Sequence, residues 1–454
     1  MNRRNFLKNA ASISSLGALQ GLAVNLAAMA DANAAVDDPN QYKALVAVFL
    51  KGGNDNGNTL FPIDDVNYPL YQSYRAELAL PKASGIPLNP INPLPSNVQY
   101  ALHPSLSDLA SLFNAGDMAV LQNVGALTRP TTKKLYQTQY ASMPAKLYSH
   151  NDQQKFWQMS TTDYRTGWGS ALAQKMITKN SSPLFTGVNV INPMPMFYSK
   201  NLHSLTLGEN GPNSMIGFEG GLTKHFGITS WPQAVSQIMG STNNSAMEQE
   251  ISNIFSRSVY SQTQLRSVFK NSADVDSYFT GTDNLSKQLK VVAKMIKARD
   301  ILTMKRQVFV VYLDGFDLHS GLLTKHAGLL KAVNNAIYSF NNAMKGLGVN
   351  DNVTLFTMSE FGRTLNTNNG GSDHGWGSHH FIVGGAVNGK QIYGKTPSYI
   401  KDGEDDVGRG RLIPSTATSQ YFSTLAKWLG ATDTDISGII PYINNFAQKN
   451  LGFV

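Results

Sequence analysis

The stretch VTLFTMSEFGRTLNTNNGGSDHGWGSHHFIVGG, Val353 to Gly385, decides how the rest of the chain is read. It opens on six residues, Val353 to Met358, that are apolar or β-branched throughout, the pattern of a strand buried on both faces. A charged turn with Glu360 and Arg363 follows, then a polar loop, then three of the nine histidines within seven residues: His374, His379 and His380, next to Asp373. Side chains of metal-ligand type at the carboxyl end of a buried strand are where α/β enzymes keep their chemistry. The expectation is a metal-dependent hydrolase.

Three further strands can be read on either side. YKALVAVFL (Tyr42 to Leu50), a continuous apolar run, ends in the glycine and asparagine turn KGGNDNGNT; Met118 to Val124 reads as a second strand and QVFVVYL (Gln307 to Leu313) as another buried one. Helical patterns alternate with them. HPSLSDLASLFNAG is a capped helix, QQKFWQM follows a cap at Ser149 or Asn151, periodicity dominates from Ser245 to Arg299, and helices are expected near Gly321 to Leu347 and, as the last, Thr416 to Leu429. This alternation predicts an α/β fold, a doubly wound, mostly parallel central sheet flanked by helices. One domain is expected over residues 36–454, with a helical and irregular insertion around 180–300. Residues 183–233 are rich in Pro, Gly and Asn, with short β-like pieces.

The chain of 454 residues is 42% hydrophobic and 15% charged, ordinary for a globular protein. Its first 35 residues read as a twin-arginine export signal: Arg3 and Arg4 before Phe6-Leu7-Lys8, an uncharged segment, and a small-residue cleavage site after Ala34 or Ala35. A periplasmic or extracellular protein is therefore expected, with the twin-arginine translocase as a partner and no membrane span in its mature part. With no cysteine, a metal must be held by His, Asp, Glu or hydroxyl groups. The net charge of +8, of which Arg3, Arg4 and Lys8 against Asp31 contribute +2, is scattered without runs. Nucleic-acid binding is not indicated; an anionic ester or envelope glycan suits a mildly basic surface.

Polar clusters follow four strands, and in a parallel sheet such ends share one edge. Asp55 lies among glycines and asparagines and is a candidate first ligand, with Asn54 beside it. Ser149 and His150 precede a helix, where the positive backbone field stabilises an alkoxide or a bound phosphate, so Ser149 is the candidate nucleophile and Thr59 its reserve. Asp314, Asp317 and His319 follow an apolar strand, where carboxylate and imidazole two residues apart can share one cation. Glu360 is a candidate ligand and Arg363 a bidentate binder of an anionic oxygen. Adjacent residues on a strand point to opposite faces, so His379 and His380 do not share an ion. His374 is the expected ligand, with His379 and Asp373 contacting substrate or supporting the ligands.

Taken in order, the signal, the strand before GGNDNGNT, the Ser149-His150 helix start, GFDLH, SEFGRT and DHGWGSHHFIVGGAVNGKQIYG resemble the alkaline phosphatase superfamily. More closely they resemble its twin-arginine-exported, sulfatase-like branch, domain of unknown function 1501, over residues 42 to 440. The resemblance implies a hydrolase of phosphate or sulfate esters with a serine or threonine nucleophile and one or two divalent ions, zinc, calcium, magnesium or manganese, held by Asp and His. Carried over, Asp55 matches the first-strand metal aspartate, Ser149 the nucleophile, Asp317 and His319 one metal pair, and His374 the late histidine. Glu360 stands where an aspartate precedes a histidine ligand, and the next residue here is Phe361, which binds no metal. Either Asp373 or Arg363 would then rebuild that corner. Two other expectations use the same residues: a non-catalytic envelope binding or assembly protein on a degenerate scaffold, and a transferase of phosphoryl-alcohol groups.

Overall fold

A long apolar strand buried on both faces needs a covering layer on each side, and the chain supplies both. In the computed structural model the described residues are 41–160, 165–212 and 245–454. The export signal and its cleavage site, and the part of the expected insertion at 213–244, lie outside them. Residues Tyr42–Val454 form one unit.

The strands are β1 (Lys43–Lys51), β2 (Leu60–Pro62), β3 (Ile86–Pro87), β4 (Tyr100–Leu102), β5 (Met118–Gly125), β6 (Gly187–Val190), β7 (Leu205–Leu207), β8 (Arg306–Asp314), β9 (Val353–Met358), β10 (Arg363–Asn368), β11 (Gly371–His374), β12 (Ser378–Val383), β13 (Ile392–Tyr393) and β14 (Thr416–Ala417). The main sheet runs β13-β5-β12-β9-β1-β8-β6-β7, with β14 also on β5. Only β12 runs against its neighbours, β5 and β9; the rest is parallel. The fold class is therefore the doubly wound, mostly parallel α/β sheet that the alternation predicts.

Alternation along β1 shows why its interior, Ala44 to Leu50, is apolar at every position. Val46, Val48 and Leu50 pack with the helices Ser107–Ala115, Asn284–Lys297 and Leu322–Gly346, through residues such as Phe113, Leu289, Val333 and Phe340. Leu45, Ala47 and Phe49 face the other layer, built on Trp157, Trp168, Leu172, Phe422 and Leu425. Each Val, Leu or Phe among them contributes about 1.5–3 kcal/mol by leaving water.

Several local expectations are corrected. The polar loop after Glu360 is an antiparallel hairpin, β10 with β11, that sets Arg363 opposite His374. The short β-like pieces expected in residues 183–233 do include β6 and β7, which join the edge of the main sheet. The helix expected from Thr416 begins at Thr418, because Thr416 and Ala417 extend the sheet, and it is not the last: Asp433–Ile439 follows, capped by Thr432.

Register places the chemistry. Lys51 pairs with Asp314 and Phe49 with Met358, so the carboxyl ends of β8, β1 and β9 lie side by side on one edge.

Candidate metal centre

The chain leaves β1 through Gly52 and Gly53, both with positive φ (117° and 84°). A β-carbon on Gly52 would lie 2.4 Å from the Asp317 backbone nitrogen, and one on Gly53 2.5 Å from the Phe361 ring. Glycine at both places lets the three strand ends close on one another.

Four side chains converge there. The Nε2 atoms of His150 and His374 are 3.1 Å apart, and those of His319 and His374 are 3.3 Å apart. Asp317 lies 3.0 Å from His319 Nε2, 3.3 Å from His374 Nε2 and 3.4 Å from His150 Nε2. One ligand atom each from His150, Asp317 and His374 fits within 4.8 Å. A tetrahedral ion with bonds of about 2.05 Å sets its ligand atoms about 3.3 Å apart, close to the separations among His150, Asp317 and His374, while His319 meets this set only through Asp317 and His374.

The opposite ring nitrogens are all engaged. His374 Nδ1 donates to the Tyr148 carbonyl oxygen at 2.7 Å, which accepts only, so its proton is on Nδ1. The Nδ1 of His150 lies 2.9 Å from Glu360 Oε1, and that of His319 lies 3.3 Å from Asp373 Oδ1. Acceptors of this kind fix the tautomer and aim the Nε2 lone pair. Ring nitrogens of His150 and His374 and an oxygen of Asp317 crowd one place, and a divalent cation there would be held by all three.

Charge is arranged around this point. Hydrogen bonding to Glu360 holds His150 above its ordinary pKa, against the effect of burial. Burial is the main effect holding His374 below the ordinary value. For Asp317 burial works upward, but the hydrogen bond and charge of Arg363, at 2.9 Å, with His150 and His319, bring the carboxyl below its usual range. The Phe361 ring stacks on His374 at 4.7 Å and stands 4.9 Å from His150, walling one side. Asp317 and His319, at 46% and 47% exposure, form the open side.

The structure brings together His150, Asp317, His319 and His374 from the sequence-derived set, with Asp373 and Arg363 behind them. Glu360, expected as a ligand, is turned away: it accepts from the Gly52 backbone N–H and from Gln154 as well as from His150. Asp55 is sealed in an ion pair with Arg75 at 2.5 Å. Asn54 and Thr59 are buried and bonded to one another, with the Asn54 oxygen also held by His326 and the Thr59 hydroxyl donating to the Asp55 carbonyl. Asp314 is on the surface with Lys51. The Ser149 hydroxyl donates to Asp152 at 2.7 Å at the start of the helix His150–Gln158. His379 is inside the sheet, where its Nδ1 accepts from the Asn123 backbone and burial lowers its pKa to about 4; its expected substrate or support contact is not made. Tyr148, Gln154 and Arg411 carried no motif, and the role of Tyr148 in the cluster is a backbone one that no side chain signals.

Fold and cluster together define an α/β protein with a histidine and aspartate centre at the carboxyl edge of its parallel strands. The chain belongs to the family described as "Protein of unknown function (DUF1501)", whose match spans residues 42–410. No curated protein sequence matches it. Among solved structures it is similar to Ps i-CgsB in complex with k-i-k-neocarrahexaose, at 12% identity over 89% of this chain and 77% of that one, TM-score 0.37. It is also similar to the C-terminal periplasmic domain of EcEptC from Escherichia coli in complex with Zn (11%, 89% and 88%, TM-score 0.37). A third is the PsFucS1 sulfatase from Pseudoalteromonas sp. (8%, 88% and 70%, TM-score 0.33).

Proposed function

We propose that this chain is an exported, metal-dependent hydrolase of phosphate or sulfate esters, with His150, Asp317, His319 and His374 holding one divalent ion. One observation carries the reading: two imidazoles, His150 and His374, each tied at Nδ1 to an oxygen acceptor, bring Nε2 to the same place as the Asp317 carboxylate, with His319 against Asp317 and His374 beside them. Zinc is the ion such a set suits. When bound, it supplies positive charge to an ester oxygen. The residues of the chain do the rest. Glu360, Asp373 and the Tyr148 carbonyl hold the rings, and Arg363 fixes Asp317. Ser149 is the nucleophile of this reading, since its hydroxyl hydrogen is already directed at Asp152, a ready proton acceptor. Residues 1–35 would send the protein through the twin-arginine translocase to the cell envelope.

Elemental analysis of the purified protein, with turnover of aryl phosphates and aryl sulfates in added zinc, manganese or calcium, tests this. One ion per chain and metal-dependent turnover are expected; no ion and no turnover would end the proposal. Unchanged turnover in Ser149→Ala would remove the serine from it.

A second reading, an envelope binding or assembly protein that uses the ion structurally, is favoured by Phe361 and by the Asp55–Arg75 pair. Phe361 stands where the resemblance expects a histidine ligand, and Arg75 takes up the carboxylate that the resemblance matches to a metal ligand. It predicts ion uptake without turnover.

A further inference from the structure

We propose that Arg411 is the anion-binding arm of this centre, taking the non-bridging oxygens of a phosphate- or sulfate-type group; this rests on reading the cluster as the site of an ester hydrolase. Arg411 is tied at two points to the residues that hold His374. Its Nε donates to the His374 carbonyl oxygen at 3.2 Å. Its guanidinium lies 4.6 Å from the ring centre of Tyr148, the residue whose carbonyl receives His374 Nδ1.

The other cations around the centre are already engaged. Arg363 is on Asp317 at 2.9 Å, Arg409 on Asp373 at 2.7 Å, Lys51 on Asp314 at 3.2 Å and Lys146 on Asp152 at 3.8 Å. Among the described residues no carboxylate pairs with Arg411, its two terminal nitrogens make no hydrogen bond, and neither is sealed from solvent. A stacked guanidinium keeps its plane and its remaining donors fixed, so little freedom is lost when two oxygens of an anion bind its fork. Sequence inspection passes over this residue because RGRL belongs to a glycine-rich turn with no motif.

The experiment compares the wild type with Arg411→Gln, Arg411→Lys and, as a control on an exposed turn, Lys401→Gln. Zinc uptake and the binding of inorganic phosphate and of sulfate are measured by calorimetry on zinc-loaded protein. The Gln variant is expected to keep zinc affinity within about twofold and to weaken phosphate or sulfate binding at least tenfold, with Lys between and the control unchanged. For any ester that is turned over, KM rises more than kcat falls. Unchanged anion binding in the Gln variant overturns the proposal, as does a wild type that binds neither anion. A loss of zinc affinity as large as the loss of anion affinity would make Arg411 a brace for His374 instead. If no ester is turned over but anion binding still drops in the Gln variant, the hydrolase reading fails and the anion arm stands. If no zinc is taken up, the same titration on the protein as isolated decides.

Discussion

Glu360 and Asp55 show how the same chemical group takes different work according to its partners. Glu360 is fully buried, shared among the Gly52 backbone N–H, Gln154 and His150, and its charge reaches the cluster through an imidazole. Glu360→Gln removes that charge while keeping the shape. Zinc affinity should fall about 10- to 100-fold, the usual cost of losing a partner behind a ligand, and competition with a chromophoric chelator measures it. Asp55 contributes to stability instead. Asp55→Ala leaves Arg75 buried without its carboxylate and should cost about 3–5 kcal/mol. Urea unfolding reads that loss, and unchanged zinc affinity in the folded fraction separates it from the ligand role that the sequence suggests.

Among the elements, the turn after β1 is where backbone and site meet. Gly52 has φ of 117°, and its missing side chain leaves room for Asp317. Gly52→Ala combines backbone strain of about 1–3 kcal/mol with a shift of the Asp317 backbone. Lower melting temperature and weaker zinc binding should therefore appear together, unlike Asp55→Ala, where only the first moves. The helix Asp433–Ile439 offers a contrast away from the centre. Thr432 caps it and exchanges hydrogen bonds with Asp435, so Thr432→Ala should cost about 1 kcal/mol and leave zinc binding as it was, as paired melting and zinc titration would show.

Across the whole molecule, acid sensitivity follows from four buried histidines that do not belong to the cluster. Burial lowers His103 and His379 to about 4 and His380 to about 3, and His326 lies well below the ordinary range. Their folded values are below the unfolded value near 6.5, so in that window the unfolded chain binds more protons than the folded one. Stability is therefore full above pH 6.5 and is lost as pH falls toward 4. Four such protons give a slope of up to about 5 kcal/mol per pH unit near pH 5. Unfolding by urea at pH 7, 6 and 5 checks this; a midpoint that does not move across the series would refute it.

The sequence by itself determined the sheet and its edge. Strands whose interior is apolar or β-branched and buried on both faces need helices on both sides, so the runs inside Lys43–Lys51, Arg306–Asp314 and Val353–Met358 announce a doubly wound fold without help from the rest of the chain. It also brought Asp317, His319 and His374 forward, because they directly follow those runs or the hairpin beyond them. Only the tertiary structure decided which polar side chains meet. His150 arrives from a helix more than 160 residues before His319. Asp55 is drawn aside by Arg75, twenty residues on, with no local signal. Phe361, read in the sequence as a missing ligand, becomes the wall against which two imidazoles pack. The physical reason is one of range: burial and strand period are local and repeat along the chain. The direction of an imidazole lone pair is set by the one oxygen that meets its other nitrogen, and that oxygen is brought there by a different segment.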